Sequence, residues 1–120
     1  MAIQVKKWLK DRQSASNMDP WVLLVTDDRT DDPRDWTVDS AGNADQHVGT
    51  FTCTDEDGTA VFSGTCTTLT TDGKLIYTAT TVQAALLTAG NYRVQWTVRN
   101  AGSTLVHESE VYGQRIRANI

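Results

Sequence analysis

The chain has no apolar run of about 18 residues, the length a membrane-crossing helix needs, and no stripe of lysine and arginine able to follow a phosphate backbone. Its 15 acidic residues outnumber 11 basic ones, for a net charge of -4. The one basic concentration is Lys6-Lys7-Trp8-Leu9-Lys10, too short and too mixed to serve alone. Neither nucleic acid nor membrane is therefore expected as a partner. MAIQVKKWLKDRQSAS, at the N-terminus, also lacks the apolar segment of a secretion signal, so synthesis in a cytosol is the expectation.

Cysteine is scarce as well. Cys53 and Cys66 are the only two, both in Thr-rich, strand-like surroundings. If a hairpin turns at Asp57-Gly58, direct pairing sets Cys53 opposite Phe62. Cys66 is then displaced beyond the roughly 7 Å between Cα atoms that a disulfide tolerates, unless a bulge shifts the register. Two reduced, buried thiols are expected. Zinc would need further close-spaced ligands, which His47 and His107 do not supply, and no cofactor or metal is expected.

Signatures of catalysis are missing in the same way. There is no G-x-S-x-G elbow and no phosphate-cradling glycine loop. His107 has Glu108 and Glu110 for neighbours, but nothing pairs either histidine with a cysteine. No feature selects two of the acidic residues as an acid–base pair. The chain is not expected to be an enzyme.

What is present is strand pattern. WVLLVTDD (21–28) is a buried-type apolar run, and DWTVD (35–39) reads as a short strand. HVGTFTCT (47–54) and TAVFSGTCTTL (59–69) flank Asp57-Gly58 as a hairpin. KLIYTAT (74–80), NYRVQWTV (91–98), TLVHESEV (104–111) and QRIRANI (114–120) complete the series, with one helical turn predicted in VQAALLTAG (82–90). Seven to eight short strands at this spacing predict an all-β, immunoglobulin-like sandwich. In the run Tyr92, Val94, Trp96, Val98 the alternation assigns all four to the core, and Tyr92 is placed where such folds set a tyrosine whose hydroxyl bonds back to nearby backbone.

Two domain units follow, an extended N-terminal arm over 1–20 and the sandwich over 21–120. Pro20 ends the polar stretch RQSASNMDP. The arm reads either as a frayed terminus or as a docking element in which Lys6, Lys7, Trp8, Leu9 and Lys10 meet a partner. The acidic stretch with Asp27, Asp28, Asp31, Asp32, Asp35 and Asp39 reads as solvated loop surface, with Arg29 and Arg34 set among the carboxylates; a calcium site is the other reading.

WVLLVTDDRTDDPRDWTVD, TFTCTDEDGTAVFSG and DGKLIYTATTVQAALLTAGNYRVQWTV occur in an order that resembles the β-sandwich domain at the N-terminus of phage baseplate upper proteins, over about a hundred residues. The resemblance implies a non-enzymatic virion structural protein of a bacteriophage, serving in capsid decoration or in tail or baseplate attachment. Its partners would be capsid or tail subunits, in symmetric copies or as a homo-oligomer, and its location the virion after synthesis in the host cytoplasm. The alternative is a carbohydrate- or calcium-binding adhesion module for a host surface, using Trp21 or Trp36 beside the acidic loop.

Overall fold

Alternating inward apolar and outward Thr-rich positions divide the chain into strands, as a half-buried pleated surface requires. The structure, a computed structural model, describes residues 2–5, 20–27 and 30–116, the first four by backbone alone. Eight strands and one short helix follow in order: β1 (Ala2–Val5), β2 (Trp21–Thr26), β3 (Val48–Asp55), β4 (Ala60–Thr65), β5 (Lys74–Tyr77), α1 (Thr81–Ala85), β6 (Gly90–Arg99), β7 (Leu105–Glu108) and β8 (Tyr112–Ile116). They form an all-β sandwich.

One sheet has the order β1-β2-β5; the other has β4-β3-β6-β7, with β8 also on β6, and every pairing is antiparallel. β6 is ten residues long and organises the larger sheet. One of its edges pairs with β3 over residues 92–99, while the other is divided between β8 at residues 90–94 and β7 at 97–99. At the division stands Ser109. Its Oγ accepts the Trp96 backbone N–H at 2.9 Å, and its own N–H donates to the Trp96 carbonyl.

The hairpin forms at Asp57-Gly58. Gly58 has φ 84, and the Asp55 carboxylate accepts the N–H groups of Asp57 and Thr59, each at 2.9 Å. Cys53 lies directly opposite Phe62, with a register shift just beyond. Cys66 is instead hydrogen-bonded to Gly49, four residues back along β3, so both thiols are free and buried.

Aromatic rings fill the space between the sheets. Phe51 stacks on Trp21 and on Tyr77, each at 4.8 Å, and meets Trp96 edge-on at 5.0 Å. Gly64 permits this arrangement, because a Cβ there would lie 2.2 Å from the Tyr77 hydroxyl and 2.6 Å from its ring. The Trp21 indole N–H donates to Gln114 Oε1 at 2.9 Å, tying the two sheets across the core.

Two local expectations change. Residues 35–39 form no strand: Val38 has only an isolated bridge to Ala44, and the Asp35 and Asp39 carboxylates bond backbone N–H groups two and four residues on. The helical turn is earlier and shorter than 82–90. Thr80 and Gln83 start it with a reciprocal capping box, and Gly90 already belongs to β6.

Candidate functional site

Residues 6–19 lie outside the described residues, so Lys6, Lys7, Trp8, Leu9 and Lys10 receive no structural account. Tyr92, Val94, Trp96 and Val98 are all buried on the inner face of β6. The Tyr92 hydroxyl accepts the Thr88 N–H and donates to the Thr88 carbonyl, both at 3.0 Å. That bond fixes the corner through which the chain enters β6.

The adhesion alternative is not supported. Trp21 and Trp36, its proposed ligand-facing aromatics, are both 0% exposed. Of its acidic residues, Asp35 and Asp39 are engaged in shaping loops. Asp35 Oδ1 takes both the N–H (2.9 Å) and the hydroxyl (2.6 Å) of Thr37, and these bonds hold its carboxyl below the usual range. Asp39 Oδ1 accepts from Ala41 and Asn43, and Asp45 Oδ1 from Ala101.

Both histidines pack on Trp36, His47 at 5.6 Å and His107 at 6.1 Å between ring centroids, and the Arg34 guanidinium lies 5.3 Å from the same ring. His47 Nδ1 faces two carbonyls, those of Trp36 (3.0 Å) and Asp45 (2.8 Å), so it carries the proton and donates. His107 Nε2 and Trp36 Nε1 are buried with no hydrogen-bond partner among the described residues. Burial, and then the Arg34 charge, push the His107 pKa down. The cysteines are equally remote from chemistry, since burial raises each thiol to about 12. Among the described residues no group of three or more His, Cys, Asp or Glu is placed to hold a metal ion.

Two surface features were missed in the sequence. The first is the edge at β7. Arg99 pairs with Leu105 and Val98 with His107, so Val106 is an inserted bulge residue. Strict alternation would place Leu105 beside the inward His107; the bulge turns it outward with Arg99. Leu105 and Val106 are 43% and 41% exposed, and Val48, in the same cross-strand row, is 48% exposed. The second is a groove over β6 and β8 that contains Arg93 and Arg115. Neither has a local sequence signal, because each depends on which strands lie beside β6.

No family model matches the chain, and no curated protein matches it either. Among solved structures it is similar to CopC from Methylosinus trichosporium OB3b, with TM-score 0.52 and 19% identity over 92% of this chain and 85% of that one. That likeness establishes the fold alone. It overturns the resemblance to phage baseplate upper proteins, and with it the virion role, the capsid, tail and baseplate assignments and the virion location, because the solved structure matched is CopC and no family model or curated protein supports a phage relative. Short strand motifs such as Asp-Gly hairpins and a corner tyrosine recur wherever sandwiches form, which is why they pointed to the wrong relatives. The likeness carries no ligand or metal over to this chain.

Proposed function

We propose that this chain is a non-catalytic β-sandwich module that associates with a second copy of itself through the edge at β7. The observation that carries the reading is the bulge at Val106, which places Leu105 and Val106 in solvent at the margin of the larger sheet. Val111, three residues past β7 in the chain, is also exposed, at 56%. Among the described residues β7 pairs on one side only, so its outer backbone groups can accept a further strand.

A two-fold axis beside that edge sets β7 antiparallel to its own copy and continues an all-antiparallel sheet. Each copy then covers the other's leucine and valines, at roughly 1.5–3 kcal/mol for each side chain fully buried. The non-catalytic part of the reading is supported by thiols held protonated and by carboxylates engaged with backbone.

Sedimentation velocity over a concentration series tests it. The expected result is a monomer–dimer equilibrium that Leu105→Lys and Val106→Lys each shift to monomer, with unchanged circular dichroism. A native chain that stays monomeric at millimolar concentration, or a dimer indifferent to both substitutions, overturns the reading.

A further inference from the structure

The divided edge of β6 creates a second surface, independent of β7. Asn91 pairs with Arg115 and Arg93 with Gly113, so these four positions share the outer face, while Tyr92 and Gln114 between them are buried. Arg93 and Arg115 are diagonal neighbours across the strand pair, a separation of roughly 7–8 Å. Gly113 contributes no side chain, and a Cβ built there would have nothing within 4 Å. The result is an open groove of about 430 Å³ whose lining includes Arg93, Arg115, Asn91 and Glu56.

Its floor is held in place. Gln114 accepts from Trp21 at 2.9 Å and donates to the Arg115 carbonyl at 3.0 Å, and the Tyr92 hydroxyl is bonded to Thr88. The Arg93 guanidinium has no hydrogen-bond partner among the described residues. Guanidinium forks match the paired oxygens of a carboxylate or phosphate, and the Asn91 amide adds a donor. Glu56 opposes a second negative charge in the same space.

We infer that the groove formed by Asn91, Arg93, Gly113 and Arg115 is a binding site for a singly charged carboxylate ligand. Arg93 and Arg115 supply the attraction, Gly113 supplies the room, and Glu56 selects against dianions. The site is on the face of β6 and β8, so its occupation does not require the β7 contact proposed above.

Titration of the ¹⁵N-labelled full chain tests the assignment, with sodium acetate and inorganic phosphate as separate probes and sodium chloride at matched ionic strength as the control. The expected result is saturable shifts in the amides of Asn91, Arg93, Gly113 and Arg115 with acetate. Arg93→Gln should weaken acetate binding at least fivefold with the remaining spectrum intact, and Glu56→Gln should strengthen phosphate more than acetate. Shifts that never saturate, that match the chloride control, or that saturate at the same acetate concentration in Arg93→Gln overturn the site. Phosphate binding more tightly than acetate to the native chain overturns the ligand class.

Discussion

The indole N–H of Trp21 donates to Gln114 Oε1 at 2.9 Å, although 93 residues separate them. Trp21 opens β2 in the smaller sheet and Gln114 lies in β8, on the larger one. Gln114→Leu removes this acceptor from a fully buried indole and should lower stability by about 1–3 kcal/mol. Denaturant unfolding measures it. In a double-mutant cycle Trp21→Phe should cost less in the Gln114→Leu background than in the native chain; equal costs would show the bond to be energetically silent.

Gly64 is where the Tyr77 ring passes β4, close enough that any Cβ must displace it. Gly64→Ala should therefore destabilise by about 1–3 kcal/mol, as over-packing does elsewhere. Thermal unfolding of Gly64→Ala alone and with Tyr77→Leu separates the causes. A steric origin requires the alanine to cost less once the ring is gone.

The two thiols should be inert in the folded chain. Each is raised from 9.0 to about 12, chiefly by burial, so a thiol reagent at pH 8 should label them only as fast as the protein unfolds. Above pH 9 the unfolded chain ionises while the folded one does not. Their contribution to stability is thus full below pH 9 and is lost as pH rises toward 12. Replacing both by alanine should flatten that alkaline decline in a chemical-denaturation series.

His107 acts at the other end of the scale. Its pKa is below the ordinary 6.5, first from burial and then from Arg34, so the unfolded chain takes up the proton first as pH falls. Stability should be full above pH 6.5 and decrease as pH drops through that value. His107→Gln should remove that part of the acid dependence. An unchanged slope in urea unfolding between pH 7 and 5 would contradict it.

Much of the fold could be read from local pattern. Asp57-Gly58 fixed the hairpin, and counting outward from it placed Cys53 opposite Phe62, as found. Tyr92 was legible for the same reason, since its hydroxyl bonds only four residues back. Residues 35–39 were misread because their alternation mimics a strand while the Asp35 and Asp39 side chains bond the backbone groups a strand would use. The surfaces proposed here were invisible. Arg93 and Arg115 become neighbours only through the register of β6 with β8, and Leu105 faces outward only because of a bulge that no residue type announces.

The junction at Ser109 has a consequence for hydrogen exchange. The Trp96 amide is held by a buried side-chain hydroxyl, at a point where one strand neighbour gives way to the next. It should exchange as slowly as the surrounding ladder, while the amides of Leu105 and Val106 exchange early. β7 can then open as a sub-global unit with the Trp96–Ser109 joint still closed, leaving β8 and the Trp21–Gln114 tie intact.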